Sequence, residues 1–250
     1  MKTLLFLMLF TPLYSEEISS PILITKDNTV LSDKYLKLSR GANCPMIVVG
    51  DSLNEEPGYR VSHVLLKNLY LDGNKDFQTS EYYNEGFLRN NCITVRAGSS
   101  VTIQNVVVCY ARSGGIVLEK KCENIIIDGL NAYNCFFDGF AMCESTGCTL
   151  MNGTLHRNDY AGISMDWRCN KNKFFNLDLD YNQDVGIFMR DSNENIFFNI
   201  GFKGSGIYLN KRDFKNTGCS DNLFLEVSDI PIYVGDECWN NKLKKRGVGN

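Results

Sequence analysis

Asp166 and Arg190 are 24 residues apart, and Glu119 lies 47 residues before Asp166. The intervals matter because the stretches around these residues repeat. They read SGGIVLE at 113–119, DGFAMC at 138–143, YAGISMD at 160–166, DVGIFMR at 184–190 and GSGIYLN at 204–210. Glu119, Cys143, Asp166, Arg190 and Asn210 occupy one position of this unit. If the units stack, Asp166 and Arg190 become direct neighbours, and Glu119 sits two rungs from Asp166, roughly 9–10 Å away. A guanidinium beside a carboxylate holds it in its charged form. In an elimination, an arginine can neutralise an acidic group while a nearby base takes a proton. Two carboxylates at that separation can instead bracket a glycosidic bond as acid and base. Asp166, Arg190 and Glu119 are therefore the catalytic candidates. The same residues also suit a plain cross-strand ion pair worth ~0.2–1 kcal/mol.

Beside them runs a second outward position: Val117, Ala141, Ser164, Phe188 and Tyr208, with Tyr233 as a continuation and Trp167 at the next corner. Sugar rings stack on exposed aromatics, and exposed apolar patches mark binding sites. Ser164, Trp167, Phe188 and Tyr208 are the substrate-binding candidates; aromatic stacking that stabilises a sheet accounts for the column equally well. On another face His156 falls one step from Asp180, a pair that can act as a base or as two metal ligands. Two ligands are too few to define a metal site, so no metal is assigned. No cofactor is expected, and a calcium ion stays open. Asp138, Asp159 and Asp184 precede the corner glycines and read as turn residues.

The elements that must position these side chains follow from the period. Gly115, Gly139, Gly162, Gly186 and Gly206 are 24, 23, 24 and 20 residues apart. Asn124, Cys148, Asn172, Asn195 and Asn222 keep a similar step, each before a short apolar run. A step this steady is one structural unit stacked on itself. Each unit holds two or three runs of four to six residues rich in Val, Ile and Phe, and none has a sustained 3.6-residue apolar period. The frame of a leucine-rich repeat is absent. The expected fold is all-β, a parallel β-helix of roughly seven to nine turns of about 24 residues. Alternation turns Ile163 and Met165 inward and Ser164 outward. The glycine before each strand is read as allowing the corner. Asn134, Asn158 and Asn182, one period apart, are read as a ladder.

Residues 1–15 read as a signal peptide: Lys2, an apolar core from Leu4 to Phe10, and cleavage after Ser15. Residues 16–60 read as an N-terminal cap with the first turns, 61–240 as the β-helix repeat domain, and 241–250 as a basic C-terminal tail. Residues 75–91 form the longest excursion, and long loops carry function. All ten cysteines follow residue 15, and in an exported chain some should pair. Cys109 with Cys135, Cys122 with Cys148, and Cys143 with Cys169 are each 26 apart. They fit either disulfides between neighbouring turns or a buried ladder of thiols. Cys219 and Cys238 can staple the end. With 26 basic and 29 acidic residues, a net charge of −3 and no long run of one sign, nucleic acid is excluded as a partner. No stretch is long enough for stable membrane insertion.

NLYLDGN, GISMDW, GIFMRDS and the repeated Asn-apolar and Gly-Ile-x-Leu patterns resemble the right-handed parallel β-helix, or pectin-lyase-like, superfamily over roughly residues 60–240. That resemblance implies a secreted, periplasmic or cell-surface chain whose partner is a polysaccharide or glycan surface. It covers polysaccharide lyases, glycoside hydrolases, epimerases, tailspikes and adhesins. The adjacent Asp-Asp pair and Gly-His-Gly of polygalacturonase-like hydrolases and the Asp-Pro-His-Asp of uronan epimerase-like members are missing here. No catalytic residue therefore carries over. Three expectations stand together: a chain that binds or acts on a polysaccharide, a non-catalytic structural or adhesive surface protein, and an oligomeric spike with an apolar outer face.

Overall fold

The computed structural model describes residues 15–83, 86–204, 206–210 and 218–245. The signal peptide assigned to 1–15 lies outside these residues except for Ser15. The chain winds through two parallel sheets, one of ten strands and one of nine. Strands of eight residues, such as Thr102–Cys109, Ile126–Tyr133, Thr149–His156 and Lys173–Asp180, build the first wall. Shorter strands build the second, including Ile93–Arg96, Ile116–Glu119, Phe140–Cys143, Ala161–Asp166, Val185–Arg190 and Ile207–Asn210. This is the expected parallel β-helix, with about nine turns. The only helix among the described residues is a 3-10 turn at Lys75–Phe77.

Inside, one residue type sits above the same type rung after rung. Ile116, Phe140, Ile163, Ile187 and Ile207 form one buried column, and Leu118, Met142, Met165, Met189 and Leu209 another. Phe174, Phe197 and Phe224 stack face to face at 4.5 and 4.6 Å. Burial of these side chains supplies the stability, at about 1.5–3 kcal/mol for each large one.

The corner glycines serve a different purpose from the one expected. None of the five has a positive φ. A Cβ on Gly115 would lie 2.4 Å from the Gly139 carbonyl oxygen, and one on Gly162 would lie 2.8 Å from that of Gly186. Glycine is needed there because the next rung's backbone leaves no room. The left-handed conformations fall elsewhere. Asp33, Asn68, Asn105, Gly129, Asn152, Asn176, Asn199 and Glu226, with φ between 52 and 77°, bend each long strand at its middle. Asn and Gly tolerate that region best. Their amides also link rungs on the outer surface: Asn176 donates to Asn152 at 3.1 Å and Asn199 to Asn176 at 2.9 Å.

The buried asparagine ladder is real but shifted at its start. The side-chain oxygens of Asn172, Asn195, Asn222 and Asn241 accept the N–H of Cys148, Asn172, Asn195 and Asn222 at 2.8–3.1 Å. Asn124 stands one residue out of this column, exposed and left-handed, and Ile125 holds the ladder position. In the second ladder Asn158 and Asn182 accept from Cys135 and Asn158. Asn134 is not a member; it shares a left-handed corner with Arg157 and Tyr181.

Several expectations for the ends and the cysteines change. The strands of residues 16–49 pair into both walls as ordinary first rungs. Lys242–Lys245 is the last strand of the long-strand wall, paired with Leu223–Val227, rather than a tail. All ten cysteines are free thiols. A spacing of 26 overshoots the register: Cys109 faces Tyr133, and Cys143 faces Asp166.

Two classes of substitution separate these roles. Gly162→Val and Asn195→Ala should each lower unfolding free energy in urea by about 2–4 kcal/mol, through backbone overlap and stranded buried partners. Ser164→Thr, facing outward, and Asn176→Gly, which copies Gly129 in its column, should each stay within about 1 kcal/mol of the parent. Equal losses at all four positions would contradict the assignment of faces.

Candidate functional site

The outer surface of the short-strand wall carries two adjacent columns in the expected register. One runs Arg96, Glu119, Cys143, Asp166, Arg190, Asn210, and the other Thr94, Val117, Ala141, Ser164, Phe188, Tyr208, Tyr233. Every strand of this wall contributes the same two outward positions, because its neighbours in sequence are locked into the core.

Both candidate carboxylates are engaged. Arg190 Nε donates to Asp166 Oδ1 at 2.8 Å while Nη2 meets Oδ2, a two-point fork between half-buried groups. Glu119 Oε1 accepts from Arg96 Nε at 2.7 Å. Arg96 was not singled out in the sequence, yet it is fully buried. Its other nitrogens donate to the carbonyls of Asp51, Asn54 (2.8 Å) and Glu55 (2.6 Å). It thus pins residues 51–55 over the first rungs. Burial pushes the Glu119 carboxyl up, and the Arg96 charge only partly offsets this. Asp51 organises the same loop. Against the cost of burial, the Asn54 side chain and the N–H groups of Gly58, Leu53 and Asn54 bring its pKa down to about 2.

Phe188, Tyr208 and Tyr233 form a continuous stack, with centroids 5.7 and 4.6 Å apart and planes within 10°. Stacking closes their shared faces, so the stripe presents ring edges and two hydroxyls outward. Trp167 occupies the left-handed corner beyond Asp166, with the Arg168 guanidinium 4.4 Å from its ring. Ser164 lies half-buried between Ala141 and Phe188 on the open face. His156 stacks on Tyr133 at 5.3 Å, and burial followed by the nearby Arg157 charge lowers its pKa. Asp180 pairs instead with Lys203 at 2.9 Å. Among the described residues no three His, Cys, Asp or Glu side chains converge as metal ligands.

The opposite border of the face holds groups that sequence reasoning assigned to turns. Asp138 Oδ1 accepts the Ala161 N–H at 3.1 Å. Burial pushes its pKa up to about 7; that N–H and Arg89 oppose the shift, and Asp184 adds to it. Arg89 reaches in from the 75–91 excursion, 5.0 Å from the Phe137 ring and 4.8 Å from Tyr82. Tyr160 packs edge-on against Phe137 at 6.2 Å. Burial raises its pKa first, then Asp184 and Asp138, while Arg190 and Tyr208 also act on it from across the face. The small side chains of Val117, Ala141 and Ser164 therefore floor a shallow trough. Asp138, Phe137 and Tyr160 border one side, Glu119, Asp166 and Arg190 the other. Phe188 forms a step at one end. At the other end the two loops meet around Leu53, Asn54, Glu55, Gly86 and Phe87.

Known structures of this shape are distant in sequence. The periplasmic alginate epimerase AlgG, crystallised as its T265N mutant, matches with 13% identity and a TM-score of 0.54, covering 92% of this chain and 77% of that one. The Streptococcus pneumoniae surface protein and adhesin PfbA matches with 12% identity and a TM-score of 0.55, covering 93% and 77%. The Dettilon tailspike protein matches with 11% identity and a TM-score of 0.51, covering 84% of this chain and 51% of that one. Such identities speak for the fold alone. No curated protein is similar enough in sequence to match. No helix among the described residues is long and apolar enough to cross a membrane. The sequence matches the family described as the right-handed beta helix region over residues 91–244, more than half of its length, and the chain belongs to that family.

Proposed function

We propose that this chain is an exported glycan-binding β-helix, and that a polysaccharide lies along the trough floored by Val117, Ala141 and Ser164. The observation that carries the reading is the trough itself: a small-residue floor between two polar borders, ended by an aromatic step. A sugar ring resting on Ala141 and Ser164 meets the Phe188 ring at one end. It also meets Asp138, Tyr160 and Arg190 at its edges, and such mixed apolar and polar surfaces suit carbohydrate rings. Rungs repeat every ~4.8 Å, close to the length of one sugar unit, so the four steps from Ile93–Arg96 to Val185–Arg190 accommodate a short oligosaccharide. Export rests on the Lys2-to-Ser15 pattern. Proteins of this shape include a periplasmic alginate epimerase and a surface adhesin, which are compatible with either action on a glycan or simple attachment.

Binding is favoured over catalysis by Asp166 and Glu119 because each already holds an arginine. Breaking a partly buried fork to free a proton-transfer group costs more than it returns. One observation supports a second, catalytic reading: Asp138, with a pKa of about 7, is poised to hold or release a proton near neutrality. In that reading Asp138 replaces Asp166 and Glu119 as the acid or base, and Arg190 orients the substrate.

A screen by calorimetry against neutral and acidic polysaccharides tests binding, with new reducing ends and unsaturated products followed in parallel. Arg190→Ala and Phe188→Ala should each weaken binding by about tenfold or more, equivalent to about 1.4 kcal/mol. Phe198→Ser on the opposite wall should leave it unchanged. No binding to any polysaccharide, or equal loss from Phe198→Ser, would remove the reading. If products appear, Asp138→Asn should abolish turnover while keeping affinity.

Asp138 also predicts a pH dependence of stability. Its pKa is raised on folding from 3.8 to about 7, so the folded state binds the extra proton between those values. Stability should fall as pH rises from about 4 to about 7. Glu119 is shifted in the same direction. In thermal melts across this range, Asp138→Asn should flatten the decline; an unchanged slope would show that Asp138 is not the titrating group.

A further inference from the structure

One inward column at the corner after each short strand alternates thiol and hydroxyl: Cys122, Ser145, Cys169, Ser192, Cys219, then Cys238. The sulfur of each cysteine accepts the backbone N–H of the column residue one rung earlier. Gly98 donates to Cys122, Ser145 to Cys169, and Ser192 to Cys219. Cys219 N–H in turn points at the Cys238 sulfur, 3.1 Å away. Serine between cysteines keeps most of these thiols two rungs apart, about 9–10 Å, beyond disulfide reach. The alternation fails once, at the end of the column. Ser220 pairs in register with Trp239, so Cys219 and Cys238 stand directly over one another on consecutive rungs. One rung step, ~4.8 Å, lies inside the ~4.4–6.8 Å Cα separation that a disulfide spans.

We propose that Cys219 and Cys238 are oxidised to a disulfide in an oxidising compartment, stapling the C-terminal end of the solenoid. That end has most to gain. Lys242–Lys245 is exposed throughout, and no further strand pairs beyond it among the described residues. The Asn222–Asn241 step of the buried ladder lies just past the staple and holds that strand in place.

The oxidant is a small-molecule or protein disulfide. The half-buried Cys238, as thiolate, attacks one of its sulfurs, breaks the oxidant's S–S bond and releases one thiol. The Cys219 thiolate then attacks Cys238 in the mixed disulfide and releases the second thiol. Two protons and two electrons leave the protein, and the oxidant gains both. Afterwards the Cys219 N–H keeps its sulfur acceptor, so nothing in the column must be rebuilt.

The test equilibrates the whole chain with oxidised glutathione, alkylates the remaining thiols in denaturant, and maps peptides without reductant. The expected result is one linked peptide pair containing Cys219 and Cys238, two hydrogens lighter than the reduced pair, with the other eight cysteines alkylated. The thermal midpoint should rise on oxidation and return with reductant. The Cys219→Ser/Cys238→Ser double variant should melt like the reduced parent and not respond to oxidant. Full alkylation of Cys219 and Cys238, a dominant link between other cysteines, or a midpoint indifferent to oxidation would overturn the proposal.

Discussion

Backbone hydrogen bonding between successive rungs is the constraint from which the rest of this molecule follows. Parallel strands pair every ~4.8 Å, and in this chain that pairing continues through the corners. Gly115 through Gly206 pass so close to the carbonyl of the next rung that a methyl group would overlap it. Where the turn leaves N–H groups facing inward, Asn172, Asn195, Asn222 and Asn241 accept them. A buried donor without a partner costs about 1–3 kcal/mol, so the ladder is a condition for closing each corner. Once the corners are fixed, each residue has one neighbour above and one below, whatever its chemistry.

That register turns a linear sequence into a patterned surface. Asp166 meets Arg190 because 24 residues make one turn at that point, and Phe188 meets Tyr208 because 20 residues make the next. The site draws on three kinds of element. The short-strand wall is rigid and provides the floor. The 51–60 loop is tied down by buried Arg96. The 75–91 excursion brings in Arg89. Rigid strands thus set the spacing along the trough, while the two loops determine where it ends.

Much of this was legible from residue order alone. The two outward columns, the inward Ile163 and Met165, and the Asp166–Arg190 contact follow from a period of two within strands and about 24 between them. The errors share one cause. Asn124 and Asn134 keep the period but sit one residue from the ladder, because a left-handed corner residue takes up one position without advancing the strand. The cysteine pairs 26 apart fail for the same reason: two extra residues carry the second thiol past its partner. Arg96 and Asp138 were invisible for a different reason. Their importance comes from depth beneath loops, and no local spacing encodes what a distant segment will cover.

The contact between Asp166 and Arg190 is where register and site coincide, so a charge exchange there tests the account most directly. Unfolding free energies would be measured for Asp166→Arg, Arg190→Asp and the double exchange. If consecutive rungs place these side chains in one fork, each single change sets like charges together, and the double exchange recovers a large part of the combined loss. The coupling should be about 1 kcal/mol or more and should shrink with added salt. Strict additivity of the two changes at low salt would mean that the rungs do not meet in this register.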